Sequence, residues 1–458
     1  MNTLADQIRL VSALEPVGVA GRVAALRGLT VLADDLPLPV GSEIEIVSTR
    51  VRGEIVGFAE SRAVVMLFGS SVGIRPGDVI RGGHAAQVAP ISDFLLGRVV
   101  DALGNPADGK GPIRDTVLRP IDARPISAMQ RARIDRPIWT GVRAIDLMTT
   151  LGRGQRMGVF AGPGVGKSTL LGTIARRSSA DVSVIALIGE RGREVREFIE
   201  QSLGEEGLAR SVVVVATGDE PPLMRLRAAR LACAVAEHFR DGGRDVLLMM
   251  DSVTRFAHAQ RQVGLSVGEP PATKGYTPSV FAELPVLLER AGGIDASGGS
   301  VTGLYTVLVE GDDMTEPVAD AARGILDGHI VLSRKLAQRG RYPAVDILDS
   351  LSRVANDIVD DHHRVARDHL RRLEAAYANI EELVQIGAYA KGSDPESDVA
   401  VMYHDRIEEL VRQSGSDDTT PEKSREWMLK LAMESGEKLR QLRSGGGSAP
   451  GKPGGRAD

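Results

Sequence analysis

The stretch Ala161-Gly-Pro-Gly-Val-Gly-Lys-Ser168 decides the fold class of this 458-residue chain. It follows the apolar run 156–161 and precedes a helical pattern, which is the strand, loop and helix context of a phosphate-binding loop. Its glycines let successive backbone N–H groups point at one anion, and the following helix adds its N-terminal partial charge. A glycine-rich turn without a ligand is the less favoured alternative. The residues expected to bind the phosphates and their nucleotide are Ala161, Gly162, Pro163, Gly164, Val165, Gly166, Lys167, Ser168 and Thr169.

Residues of this loop have different expected roles. Lys167 would reach the β- and γ-phosphates, and the Ser168 hydroxyl would be a ligand of Mg²⁺. Pro163 stiffens the loop and removes one N–H group at a variable position. The loop therefore predicts a nucleoside triphosphate and Mg²⁺ as ligands.

Two further apolar runs end in carboxylates. The run 245–251 ends at Asp251, which we expect at the carboxyl edge of a sheet, where it would organise Mg²⁺ through water. Glu190 follows another run and could polarise the water that attacks the γ-phosphate. A surface carboxylate paired with Arg191 or Arg193 explains Glu190 equally well, and spacing alone leaves both interpretations open.

Hydrophobic patterning predicts three kinds of structure along the chain. Short β-rich runs before residue 90 indicate a small barrel. Beyond residue 141, apolar runs alternate with amphipathic helical patterns, which indicates a parallel sheet with helices. After Leu351 the pattern is helical, with breaks at 387–395 and 415–421. The apolar runs lie at 156–161, 182–188, 211–216, 246–250, 301–309 and 329–332.

The predicted fold class is α/β, and we divide the chain into five segments. An N-terminal small β-barrel at 16–92 precedes a central P-loop parallel-sheet domain at 93–352 and a C-terminal α-helical domain at 353–442. Residues 1–15 form an amphipathic pattern, expected to dock onto the protein itself, a partner or a membrane surface. The Gly/Pro/Ser-rich end, 443–458, is predicted to be a flexible tail.

Composition excludes several classes of protein. The chain has 56 basic and 61 acidic residues, for a net charge of −5, and its first 90 residues contain eight Arg, no Lys and nine acidic residues. No basic surface for nucleic acid is therefore expected. Cys233 alone excludes an internal disulfide, and its apolar helical surroundings predict a buried thiol. No run approaches ~18 apolar residues and no signal pattern opens the chain, so we expect a cytoplasmic protein.

Two residues near the end of the sheet region are candidates for the nucleotide site. Tyr342 precedes a proline and could stack on adenine, or could be a core tyrosine. Arg353 could project across a subunit boundary, although an ordinary surface ion pair is the commoner role of an isolated arginine.

Four longer motifs give the chain a family resemblance. They are Gly97-Arg-Val…Asp101-x-Leu-Gly104, Thr140-Gly-Val-Arg-Ala-Ile-Asp146, Gly189-Glu-Arg-Gly-Arg-Glu194 and Pro343-Ala-Val-Asp-x-x-x-Ser-x-Ser352. With the phosphate loop, they resemble the hexameric ATPases related to the catalytic subunits of rotary ATP synthases, whose central domain is RecA-like. The resemblance covers roughly residues 16–440.

The resemblance implies a role for each candidate residue. It implies that Glu190 is the catalytic carboxylate and that Asp251 organises Mg²⁺. It also implies that Tyr342 stacks on the adenine of ATP and that Arg353 is an arginine finger donated to the neighbouring subunit. One chain that carries both Glu190 and Arg353 is expected to form a homohexamer with sites between subunits.

Within this family, the chain most resembles the flagellum-specific ATPases of the type III export apparatus. The resemblance rests on residues 152–162, on 268–281 and on Ile386-Gly-Ala-Tyr…Gly392-Ser-Asp-Pro395. It implies ATP hydrolysis by a ring that energises export of flagellar proteins. Implied partners are a stalk-type coiled-coil protein facing 268–281, a flagellar export regulator, export substrates with their chaperones, and the export gate at the inner face of the membrane.

Four alternatives remain open at this point. The virulence injectisome ATPase is a near paralogue, although Gly164-Val-Gly166 favours the flagellar member. An RNA-translocating terminator-type ring would need an aromatic, basic barrel, which the charge count disfavours. A ring subunit without catalytic activity would lack Glu190, and an ATP synthase subunit would work with a different companion chain.

Overall fold

A computed structural model describes residues 19–83, 87–295, 298–309, 311, 313–415, 417 and 419–445. The described chain contains a barrel, a central mixed sheet and a C-terminal group of helices, as the sequence predicted. Its strands are β1 Ala20–Arg27, β2 Thr30–Asp34, β3 Glu43–Ile46, β4 Val51–Ala59, β5 Arg62–Leu67, β6 Val79–Gly82, β7 Val88–Ile91, β8 Arg98–Val100, β9 Val117–Pro120, β10 Pro137–Ile138, β11 Leu151–Gly152, β12 Arg156–Ala161, β13 Val182–Ile188, β14 Ser211–Ala216, β15 Asp245–Asp251, β16 Gly292–Gly293, β17 Ser300–Leu308, β18 Gly328–Leu332 and β19 Val345–Ser352.

Strands β1 to β6 close into a barrel in the order β1-β2-β5-β4-β3-β6. Apolar side chains that alternate along these strands, such as Ile46, Ile55 and Val65, are fully buried in its core. Closure leaves no unpaired edge strand, so this small domain protects its backbone polar groups.

The central sheet has the strand order β19-β18-β12-β17-β15-β13-β14-β8, with β16 paired beside β17. All neighbours from β18 to β8 on this path are parallel. The six predicted apolar runs match β12 to β15, β17 and β18 to within a residue or two at each end. Strand β19 is an addition to that prediction, because it pairs antiparallel to β18 and alternates buried with partly exposed residues.

Helices flank this sheet and form the C-terminal region. The predicted breaks at 387–395 and 415–421 separate α11 from α12 and α12 from α13. The helices are α1 Arg143–Met148, α2 Lys167–Arg177, α3 Gly192–Glu197, α4 Gly204–Ala209, α5 Pro222–Asp241, α6 Val253–Ser266, α7 Pro278–Leu288, α8 Pro317–Ile325, α9 Arg334–Gln338, α10 Ala355–Ile358, α11 Asp361–Gln385, α12 Pro395–Val411 and α13 Pro421–Gly445, with a π-helical turn at Phe198–Leu203.

Helix α5 packs on the central sheet and carries the single cysteine. Cys233 is buried there, as its apolar surroundings predicted. Burial raises the pKa of its thiol to about 11. The group is therefore a neutral part of the core at neutral pH.

A buried arginine ties the helical region to the central domain. The Nε of Arg143 donates to the carbonyl of Leu410 at 2.8 Å, and its backbone N–H donates to Gln413 Oε1 at 2.9 Å. Its guanidinium also pairs with Asp417 and lies over the Trp427 ring. This junction fixes the loop after α12 against the start of the central domain.

Both predicted terminal segments lie largely outside the described residues. This applies to the amphipathic pattern at 1–15 and to residues 446–458, whereas Ser444 still belongs to helix α13. We keep the predicted domain limits at 16–92, 93–352 and 353–442 as a proposal. Among the described residues, none of the helices combines the length and apolar character of a membrane-crossing segment.

Candidate active site

The phosphate-binding loop connects β12 to helix α2. Gly164 and Gly166 have φ angles of +77° and +88°, in a region that favours glycine, and they turn the chain sharply into the helix. Gly166 is the N-cap, and no side chain caps the first turn. The first N–H groups of α2 and its partial positive charge are therefore directed at the loop, while buried Val165 anchors the loop to the core.

Strand order brings the predicted charged residues together. Lys167 follows β12, Asp251 ends β15 and Glu190 follows β13, all at the carboxyl edge of the parallel part of the sheet. The Lys167 Nζ lies 2.5 Å from Asp251 Oδ1 and 3.7 Å from Glu190 Oε1. The three side chains are 14%, 5% and 17% exposed, so they form one largely desolvated group under the loop.

Glu190 faces Lys167, which contradicts the alternative interpretation of a surface ion pair. Arg191 pairs instead with Glu194, and Arg193 with Glu197. The backbone carbonyl of Glu190 accepts the Gly218 N–H at 3.0 Å, which fixes the start of the loop after β13. The hydrogen bond between the Glu190 and Gly218 backbones therefore helps to hold Glu190 in the site.

The environment of Glu190 changes its acidity. Burial, followed by the nearby Asp251 carboxylate, raises the pKa of Glu190 to about 7, against the opposing effects of Lys167 and Arg255. Arg255 packs against Gly189, where an added Cβ would lie 3.0 Å from the Cβ of Arg255. Sequence analysis missed Arg255; its position four residues after Asp251, in the first turn of the next helix, was the available signal.

Thr306 is a second residue that the sequence did not indicate. Its hydroxyl donates to Asp251 Oδ1 at 2.7 Å, and the residue is fully buried on β17. A threonine within an apolar strand carries no signal of its own, because the contact depends on which strands are neighbours.

Tyr342 lies beside the loop and lines a cleft of about 340 Å³. Its side chain is 46% exposed, so it is not a core tyrosine. An added Cβ at Gly166 would lie 3.4 Å from the Tyr342 ring. Residues 413–415 from the helical region also line this cleft, and the Gln413 N–H donates to the Tyr342 carbonyl at 2.9 Å. The sequence did not predict this part of the lining.

Arg353 lies at the opposite edge of the sheet from the phosphate loop of the same chain. Leu332 pairs with Ala161 beside the loop, whereas Gly328 pairs with Ser352 at the other end of β18. These ends are about 13 Å apart at ~3.3 Å per residue. The guanidinium is exposed, and its Nη2 donates to the Arg323 carbonyl at 3.4 Å.

Comparison with known protein families agrees with this architecture. The nucleotide-binding domain of the ATP synthase alpha/beta family matches residues 141–352, and its beta-barrel domain matches 37–82. The C-terminal domain of the type III secretion EscN ATPase matches 359–430. The matched nucleotide-binding domain includes the phosphate loop and the carboxylates described above.

Individual relatives cover most of the chain. The flagellum-specific ATP synthase of Pseudomonas aeruginosa is 48% identical over 87% of this chain and 90% of its own length. The type 3 secretion system ATPase of Xanthomonas euvesicatoria is 52% identical over 79% and 81%. A structure of the assembled ATPase EscN with its central stalk EscO, from enteropathogenic E. coli, superposes with a TM-score of 0.84 at 42% identity, covering 90% of this chain and all of EscN.

Fold, site and relatives together define an ATP-hydrolysing enzyme of the ATP synthase alpha/beta class. Within that class, the chain belongs to the family of flagellum-specific ATPases, which is closely related to the type III secretion ATPases.

Proposed function

We propose that this chain is a Mg²⁺-dependent ATPase that forms a homohexameric ring and energises export of flagellar proteins through the type III secretion apparatus. The observation that carries the proposal is the division of the catalytic groups. Lys167, Glu190 and Asp251 meet under the loop, while Arg353 lies at the far edge of the same sheet. Such a chain needs a neighbour to complete its site.

The residues present fit a bound Mg²⁺. Among the described residues, no cluster of three acidic, His or Cys side chains could hold a metal alone. Mg²⁺ usually keeps waters and binds through one or two protein oxygens and the substrate phosphates. The Ser168 hydroxyl, exposed in the first turn of α2, would be a direct ligand, and Asp251 would hold it partly through water. When bound, the ion would neutralise phosphate charge.

The protein groups then divide the work of hydrolysis. The loop N–H groups and Lys167 bind the phosphates, and Tyr342 stacks on the base in the cleft. Glu190 accepts a hydrogen bond from the attacking water and orients it in line with the γ-phosphate. Arg353 of a neighbouring subunit stabilises the negative charge that develops on the transferred group.

The relatives and the charge pattern support an assembly, a cellular location and a set of partners for this chain. EscN was solved assembled and with its central stalk, which supports a ring and a stalk-type coiled-coil partner for this chain. We propose a cytoplasmic protein, peripheral at the inner face of the membrane at the flagellar base. It would bind the flagellar export regulator, the export substrates with their chaperones and the export gate, but no nucleic acid.

One second candidate function has a specific observation in its favour. The 52% identity to the Xanthomonas type 3 secretion system ATPase exceeds the identity to the Pseudomonas flagellar protein, although over a shorter part of the chain. Virulence secretion is therefore the alternative export pathway for the same chemistry.

Deletion and complementation in the source bacterium test the proposal. Loss of this chain should stop secretion of flagellin and flagellar assembly, and the wild-type chain should restore both. Its Lys167→Ala variant, expressed at the same level, should not. Normal flagella with a loss of virulence secretion would favour the second candidate, and normal export of both kinds would contradict the proposal.

The raised pKa of Glu190 predicts a pH dependence. The ionised carboxylate is a much stronger hydrogen-bond acceptor for water than the neutral acid, so activity should increase as pH rises through about 7. We expect kcat/KM for ATP to increase about tenfold between pH 6 and pH 8, measured where circular dichroism shows an unchanged fold. A flat or falling profile over this range would contradict the role of Glu190.

A further inference from the structure

Strand β17 lies between the two strands that carry the phosphate loop and the magnesium-organising carboxylate. It pairs with β12 on one side and with β15 on the other. Thr306 on β17 pairs with Val159 near the end of β12, and the preceding residue pairs with Met250, next to Asp251. The strand order therefore places one threonine side chain beside the Asp251 carboxylate.

The hydroxyl of Thr306 has a defined partner. It is fully buried and donates to Asp251 Oδ1 at 2.7 Å. A buried hydroxyl is unfavourable in an apolar strand unless it makes a hydrogen bond, and a bond to a charged acceptor is among the stronger ones. This contact therefore fixes the orientation of the carboxylate as well as satisfying the hydroxyl.

Lys167 shares the same carboxylate oxygen. Its Nζ lies 2.5 Å from Asp251 Oδ1. In the proposed function Lys167 turns towards the phosphates when nucleotide binds, and Asp251 Oδ1 then loses one of its two side-chain donors. Thr306 would remain to hold that oxygen, so that the other carboxylate oxygen would be free to interact with water bound to the ion.

We propose that Thr306 is a positioning residue that holds Asp251 in the orientation required for Mg²⁺-dependent nucleotide binding. The inference rests on the proposed function, because it assigns Thr306 to the same site. It predicts that the hydroxyl affects nucleotide affinity only when Mg²⁺ is present, since its hydrogen bond is to Asp251, which would act on the nucleotide through the ion.

The test is the affinity of the full-length chain for a fluorescent ADP analogue, measured with Mg²⁺ and with EDTA. Thr306→Val keeps the shape of the side chain and removes the hydroxyl. We expect its affinity with Mg²⁺ to fall about 10-fold or more, as for loss of a hydrogen bond to a charged group. Its affinity in EDTA should stay within about twofold of wild type, and Thr306→Ser should restore binding with Mg²⁺.

Thr302→Val is the matched control. Thr302 is also fully buried on β17, but its hydroxyl accepts the Gly154 N–H at 2.9 Å at the other end of the strand. We expect wild-type affinity with and without Mg²⁺. Thermal unfolding shows whether Thr306→Val is folded. If it is not, Thr306→Ala and Thr306→Ser are compared instead. A loss of ADP affinity that occurs only in Thr306→Ala, and only with Mg²⁺, supports the proposal.

Three results would overturn the inference. The first is that Thr306→Val binds the ADP analogue as tightly as wild type with Mg²⁺. The second is that Thr306→Val loses the same affinity with Mg²⁺ as with EDTA. The third is that the serine and alanine variants bind with the same affinity. A wild-type chain whose ADP affinity does not depend on Mg²⁺ would instead contradict the proposed magnesium site itself, so the two failures are distinguishable.

Discussion

Replacement of Arg353 by alanine should lower the kcat for ATP hydrolysis by about 10³–10⁵, the usual contribution of an arginine finger. Affinity for ADP should change little, because the finger acts on the negative charge that develops on the transferred γ-phosphate group, which ADP lacks. Steady-state hydrolysis and binding of a fluorescent ADP analogue measure the two quantities separately.

Mixing two inactive variants tests whether Arg353 acts between subunits. A ring containing both Arg353→Ala and Lys167→Ala protomers has some sites with an intact Lys167 from one chain and an intact Arg353 from the next. Mixed rings should therefore regain measurable turnover, whereas each variant alone should not. Arg364→Ala, which removes an exposed arginine paired with Asp361 on its own helix, should keep wild-type activity. Near-normal turnover of Arg353→Ala would exclude the finger.

Replacement of Glu190 by glutamine should lower kcat by about 10²–10⁴, the usual contribution of a positioned acid or base. The amide keeps the size of the side chain but is a much weaker acceptor for the attacking water. Because Lys167 and the loop are unchanged, ATP should bind and remain unhydrolysed. Rapid filtration of the complex with labelled ATP should recover mostly intact triphosphate.

The matched control for this variant is Glu197→Gln. Glu197 ends helix α3 and pairs with Arg193 at the surface, so its neutralisation should leave kcat within about twofold of wild type. Recovery of ADP from the Glu190→Gln complex at the wild-type rate would show that this carboxylate does not activate water.

Local sequence patterns predicted much of the fold. The six apolar runs became parallel strands because continuous apolar residues are typical of strands buried on both faces. The breaks at 387–395 and 415–421 separated the helices because Gly and Pro end helical patterns. Strand β19 was missed because it is antiparallel, carries polar residues such as Asp346 and Asp349, and alternates in burial.

The catalytic residues could be named from the sequence, but their relations could not. The glycine loop indicated phosphate binding by its backbone chemistry, and a carboxylate after an apolar strand indicated the sheet edge. For Glu190, spacing left two interpretations open, and only the fold showed that it faces Lys167 rather than Arg191 or Arg193.

The sequence by itself determined the phosphate loop, the kinds of domain and their order, because these depend on residues close together in the chain. Only the tertiary structure decided that Thr306 contacts Asp251, that residues 413–415 line the cleft beside Tyr342 and that Arg353 lies away from its own loop. These relations depend on strand order and on the docking of the helical region, and both bring together residues that are distant in sequence.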